Sequence, residues 1–273
     1  MPPPPDHEHY QGGGENPTLA SVVLQTKAYK NPYDSHKAME DVQGVLAGAG
    51  LAHVEAFNAI YLELTGCILY ALDHRDDPIN KDLKFDDEAA VRRTIGIFAD
   101  QYLRQLRFHA RGRSDLVDAP WQWLFYSDEA KRAPKGMQFL MGMGSHILYD
   151  LPWALAISEV DESYHEDYTK TIGILIARTA GKLASDYIPG PAFLRRPSKS
   201  AVLTMVALWR EMAWRYGEKL QKAGKLPVAE YGEKVRRIKE EVTYLSELNA
   251  QAALKLGRHA LGGVTQSDEG LAA

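Results

Sequence analysis

His146 and Asp150 stand four residues apart inside "MGMGSHILYDLPWAL", Met141 to Leu155, the most apolar stretch of the chain. On a helix that spacing puts both side chains on one face, one turn apart. Phe139, Met143, Trp153 and Ile157 share the same stripe, so the pair is expected to be flanked by apolar side chains and shielded from water. Desolvation disfavours either charge unless a partner stands by. Three kinds of chemistry fit. The pair can satisfy itself as a core contact, converge on a metal, or hold a polarised imidazole ready for proton transfer.

Other side chains could complete such a site. Glu63 in "YLELTG" lies on an apolar helix and is the first choice for a further carboxylate, as ligand or base. Arg210 in "LWREMAW" falls among Leu203, Ala207 and Trp214. A desolvated guanidinium needs an acidic partner or an anionic substrate. An ion pair with Asp150 or Glu63 is the first expectation, and neutralising developing negative charge is the functional one. Glu211 is the neighbouring candidate ligand. The expected catalytic set is therefore His146, Asp150, Glu63 and Arg210. The expected metal set is His146, Asp150, Glu63 and Glu211, around a divalent ion such as zinc or iron. His53 reads as a bonded core residue. Trp121, Trp123, Phe125 and Tyr126 of "PWQWLFY" read as a core plug, with a lid over an apolar ligand as the alternative.

Pro152 adds a mechanical feature. Its ring crowds the Leu148 carbonyl and it has no N–H, so the helix is expected to kink or restart beside Asp150. Gly142 and Gly144, earlier on the same segment, would let another helix or a ligand approach closely. A bent helix bearing an imidazole and a carboxylate suggests a pocket wall.

The elements that must position these groups read as helices nearly throughout. A short one near Leu19 to Tyr29 is followed by "HKAMEDVQGVLAGAG" and "LAHVEAFNAIYLELTGCILYAL". The next opens at "FDDEAAVRR", whose acids suit the positive end of a helix dipole. The central segment runs from about Gly136 to Ser158. Later helices are expected over about Glu162–Tyr187, Ser198–Ala223 and Ala229–His259, with "IPGPAFLRRPS" as a break. No run alternates long enough to be a strand. The expectation is one all-α domain over 18–260, a multi-helix bundle around the central kinked helix. Residues 1–17 and 261–273 read as disordered tails, and His7 and His9 sit in the first of them.

Composition narrows the function classes. The chain has 273 residues, 45% hydrophobic and 25% charged, with formal net charge −4. A nucleic-acid partner would normally call for a basic excess, which is missing. The single cysteine, Cys67, rules out an internal disulfide, and the N-terminus lacks a secretory pattern, so the expected location is cytoplasmic. Met137 to Ile157 is about the length of a bilayer span, but Gln138, His146, Asp150 and Pro152 interrupt it, so no span is expected. The "HExxH", "GxSxG" and Walker patterns do not occur.

"MGMGSHILYDLPWALA" resembles the signature "GMNAHINxDLPLAL" of a bacterial, largely actinobacterial, family catalogued as a domain of unknown function. "FNAIYLELTGCILYAL" resembles its early "FNxVYLxVT" helix, "FADQYL" its "FANRYF" segment, and "LWREMAWRYGEKL" its late helix. Together these cover about Phe57 to Leu220. Gly144 stands where that family commonly has Asn. The resemblance implies an all-helical fold and points to His146, Asp150 and Pro152, without supplying a reaction.

The reading is an enzyme of hydrolase, lyase or isomerase type, using the His/Asp pair on a small molecule. The alternatives are a non-catalytic protein that binds an apolar ligand, or a helical interaction protein whose last helix pairs between subunits in a homo-oligomer.

Overall fold

Helix starts are written into the sequence as caps. Asn31 accepts a hydrogen bond from the Tyr33 N–H at 3.0 Å, and Pro32 takes the first turn, where its missing N–H costs nothing. Asp87 accepts from the Ala90 N–H at 2.9 Å to open the longest early helix. Asp167, buried and 80 residues away in sequence, accepts from the Asp87 N–H at 2.8 Å and ties that start to a distant helical turn.

The computed structural model describes residues 18–24, 31–80, 84–169 and 192–268. Its helices are α1 (Leu19–Val23), α2 (Pro32–Gln43), α3 (Glu55–Asp73), α4 (Glu88–Ala110), α5 (Ala119–Tyr126), α6 (Asp128–Arg132), α7 (Lys135–Gly144), α8 (Leu151–Ile157), α9 (Ala192–Gly224) and α10 (Val228–Asp268). A π-helical turn, Ser145–Asp150, joins α7 to α8. Among the described residues there is no strand, so the all-α expectation holds. No helix among them is long and apolar enough to cross a membrane.

The layers form around α7, the π turn and α8. Helix α3 packs against α7, α4 and α9 pack against α8, and α10 packs against α7 and the π turn. Helix α2 packs on both α3 and α4. Residues 138–152 are all buried, as a central helix requires. Phe57, Tyr102, Trp121 and Tyr149 are among the largest side chains fully buried in the core.

The two glycines ahead of His146 serve close packing. A Cβ on Gly142 would fall 2.7 Å from the Phe57 Cβ of α3, and one on Gly144 would overlap the Asn249 amide of α10. Both act as contact points between helices, one of the two roles expected of them.

Several boundaries differ from expectation. Helix α9 begins at Ala192 and passes through Pro197, although this stretch reads as a break. Proline at that depth forfeits a helix hydrogen bond, which is why the sequence pointed to a stop there. Helix α10 runs to Asp268, so residues 261–268 are helical rather than tail. Of the helix expected over Glu162–Tyr187, a 3₁₀ turn at Glu162–Tyr164 and helical residues 165–169 are seen. The remainder of it lies outside the described residues, as do the 1–17 tail with His7 and His9, residues 25–30, and 269–273.

Candidate functional site

Pro152 determines the local backbone. In an unbroken α-helix its ring would collide with the Leu148 carbonyl. Instead the preceding turn widens, and the Leu151 N–H donates to the carbonyl of His146, five residues back. The expected restart is thus a π turn within one continuous path, a device that recurs at functional sites. It also inserts one residue into the register. The stripe foreseen through Trp153 and Ile157 therefore swings outward: Ile157 is 48% exposed, while Leu151, Ala154 and Leu155 are buried.

The π turn keeps His146 and Asp150 together. His146 Nδ1 lies 2.8 Å from Asp150 Oδ2, and both side chains are buried. Trp121 of α5 donates its indole N–H to the same Oδ2 at 3.0 Å. An indole can only donate, so Oδ2 accepts there. The Nδ1–Oδ2 contact holds the shared proton between the two groups and leaves Nε2 as the ring nitrogen turned away from Asp150. Among the described residues, His146 Nε2 and Asp150 Oδ1 have no hydrogen-bond partner, and neither does the buried hydroxyl of Tyr102.

Burial drives the electrostatics. It pushes His146 well below the usual histidine range, so the imidazole is neutral. Burial lifts Asp150 well above the usual carboxylate range; the Arg104 charge and the Trp121 N–H pull the other way. Arg104 belongs to a ladder reaching the surface. Its Nη2 donates to Asp118 Oδ2 at 3.2 Å, Gln105 Nε2 donates to the same oxygen at 2.9 Å, and Lys239 donates to Oδ1 at 2.9 Å. Burial opposes ionisation of Asp118, but Lys239 and Arg104 hold it below the usual range.

Aromatic rings clamp the imidazole. Phe98 stacks on its face, with centroids 3.6 Å apart and planes 7° from parallel. Tyr61 meets it edge-on at 4.3 Å, and Phe57 at 5.5 Å. On one side the clamp is incomplete. His146 and Phe98 both line a cavity of about 90 Å³, walled by apolar side chains including Ile68, Val91, Ile95 and Val206. The pair thus sits in tight packing with a hollow beside it.

Arg210 of α9 lines the same cavity. Its Nη2 donates to the Tyr168 carbonyl at 2.7 Å, and the guanidinium lies over the Tyr168 ring, 3.8 Å from its centroid. Tyr168 Oη donates back to the Arg210 carbonyl at 2.7 Å. Burial pushes the Arg210 pKa down. The expected ion pair with Asp150 or Glu63 is not formed. Among the described residues no carboxylate reaches this guanidinium.

Two expected members stand elsewhere. Helix α3 turns Tyr61, Leu64, Thr65 and Ile68 to the cavity, at intervals of three and four. Glu63 falls outside that stripe and is half-buried. Glu211, about 100° round α9 from Arg210, binds Arg215 at 3.1 Å and faces His165 at 3.5 Å. The set His146, Asp150, Glu63 and Glu211 is therefore not assembled. Among the described residues no three His, Cys, Asp or Glu side chains converge as a metal site.

The remaining candidates resolve as structural. His53 Nε2 lies 2.8 Å from the Leu124 carbonyl, the bonded core histidine foreseen. A further buried polar contact, Asp100 with Arg107 at 2.5 Å, lies in the interior. Trp121 and Phe125 are core residues, as a plug would be. Sequence reasoning missed Trp121 as the donor to Asp150, and it missed Arg104 and Asp118 behind that carboxylate. The one usable signal was an indole, which seeks a hydrogen-bond acceptor when buried.

No curated protein and no solved structure matches this chain. A family model described as "Family of unknown function (DUF5995)" matches residues 35–251, which agrees with the expected resemblance to a family of unknown function. With that match over most of its length, the chain belongs to the DUF5995 family.

Proposed function

We propose that this protein is an enzyme that moves a proton on a small, partly apolar molecule, with His146 Nε2 as the base. One observation carries the reading: Nδ1 is engaged by Asp150 while the unpartnered Nε2 belongs to a ring at the wall of an apolar cavity. Unsatisfied buried polar atoms cost about 1–3 kcal/mol each, so a cluster of them calls for a role beyond stability. Asp150 and Trp121 orient the imidazole. When Nε2 takes a proton from substrate or from water, Asp150 stands 2.8 Å away to pair with the imidazolium. Arg210, across the cavity, draws negative charge that develops on the substrate. Phe98 covers the ring face and is only half-buried, so its rotation is the opening step. Hydrolysis, elimination and isomerisation all fit these groups.

The test is a comparison of wild type with His146→Gln on a metabolite extract, followed by mass spectrometry. Wild type should consume at least one compound, and the variant should be slower by roughly 100-fold or more. No consumption by folded wild type, or equal consumption by both, rejects the proposal.

A second reading is favoured by the Phe98 stack, which closes the imidazole face. The protein would then hold an apolar ligand without reacting it. Native mass spectrometry showing a retained ligand, with no turnover, decides for that reading. A cytoplasmic location, a bacterial origin and pairing of subunits through α10 accompany either reading as proposals.

A further inference from the structure

We propose that the ligand of this cavity is a small monocarboxylic acid with an apolar body, received head-first by Arg210. The inference rests on the cavity being the functional site, and it adds the ligand's chemical class. Arg210 is 8% exposed and lines the cavity, and its hydrogen bond from Nη2 goes to a neutral carbonyl rather than to an acid. A guanidinium held away from water without a counter-charge is costly, and an anion entering from the cavity would relieve that cost.

Charge and shape narrow the class. Arg210 is the one cationic side chain lining the cavity among the described residues, because His146 is neutral there. One positive charge matches one negative charge. A phosphate dianion would bring a second into an apolar hollow without compensation. The planar guanidinium fork matches a carboxylate, and its contact with the Tyr168 ring together with the Nη2 bond to the Tyr168 carbonyl holds it in place. Val91, Ile95 and Val206 offer branched aliphatic walls to the body of the ligand. An apolar cavity of about 150 Å³ accommodates the six carbons of benzene, so about 90 Å³ encloses roughly four non-hydrogen atoms, and an acid the size of isobutyrate also displaces Phe98 as it enters.

Isobutyrate and its neutral isostere isobutyramide are the probes. Binding of each to the full chain is measured by calorimetry or ligand-observed NMR, for wild type, Arg210→Gln and Arg210→Lys. Folding of each variant is checked by circular dichroism. Wild type should bind the acid at least about tenfold more tightly than the amide, a difference of about 1.4 kcal/mol. Arg210→Gln should reduce that ratio to about one while still binding the amide. Arg210→Lys, which keeps the charge and loses the fork, should retain part of it.

Equal affinities in wild type, an unchanged ratio in folded Arg210→Gln, or no binding of either probe overturns the proposal. If wild type keeps that preference while the extract assay shows no turnover, the carboxylate site stands and the proton-transfer reading falls. If turnover is found with no preference for acids, proton transfer stands and the carboxylate site falls.

Discussion

The indole N–H of Trp121 and the carboxyl of Asp150 meet at 3.0 Å across 29 residues of chain, on the oxygen that also faces His146 Nδ1. That second donor makes a helical His/Asp pair into an oriented dyad. Asp150 Oδ2 is drawn toward two donors at once, and the imidazole plane follows from where that oxygen sits.

Trp121→Phe keeps most of the packing and deletes the donor. Loss of a buried hydrogen bond to a carboxyl group should cost about 1.5–3 kcal/mol, measured by urea unfolding. It should also loosen the tautomer, so the ¹⁵N shifts of His146 should move toward an average of the two forms. A change in stability with unaltered imidazole shifts would show that the indole only fills space.

The dyad predicts an asymmetric pH response. The folded His146 pKa lies below its ordinary value near 6.5, so the unfolded chain takes the proton first. The stability from the neutral ring is full above pH 6.5 and is lost as pH falls below it. Asp150 behaves oppositely. Its folded pKa is raised, so its contribution is present below the ordinary 3.8 and fades as pH rises toward the folded value. Where both groups titrate, the two contributions oppose each other, so removing the imidazole in His146→Gln should shift the pH dependence of the melting temperature toward greater stability at lower pH than in wild type. An unchanged slope in the variant means that other groups carry it.

Gly144 and Asn249 make a second coupled pair. A Cβ at position 144 would overlap the Asn249 amide, which donates to the Leu140 carbonyl at 3.3 Å. Gly144→Ala should therefore destabilise by about 1–3 kcal/mol, although alanine favours helix. In an Asn249→Ala background the same change should turn neutral or stabilising by about 0.5–1 kcal/mol. Additive effects in this double-mutant cycle would show that the two residues are independent.

Asp100 is expected to matter for folding alone. Replacing it with Asn leaves the Arg107 guanidinium buried against a neutral amide, at a cost of about 3–5 kcal/mol. Denaturant melts should show that loss. Binding of isobutyrate, measured well below the unfolding transition, should stay within about threefold of wild type, or about 0.7 kcal/mol.

The chain's amino acids were enough to determine the helical class, the central buried helix, and the adjacency of His146 and Asp150. Each of these follows from local spacing, which a helix turns directly into geometry. Spacing also revealed that Gly142 and Gly144 permit close approach, though not that Phe57 and Asn249 are what approach. Where local spacing failed, a tertiary or backbone effect had intervened. The π turn shifted the stripe by one residue and sent Ile157 outward. The face of Glu63 was misjudged because α3 is apolar on nearly every side, so which side meets the cavity depended on α4 and the central helix.

Three decisions belonged to the tertiary structure alone. It aimed Trp121 at Asp150, left Arg210 facing a cavity with a carbonyl for a partner, and set Arg104 and Asp118 behind the dyad. None of these pairings is local. Each joins segments separated by many residues, and their distances are fixed by how whole helices pack, which one strand of letters does not encode position by position.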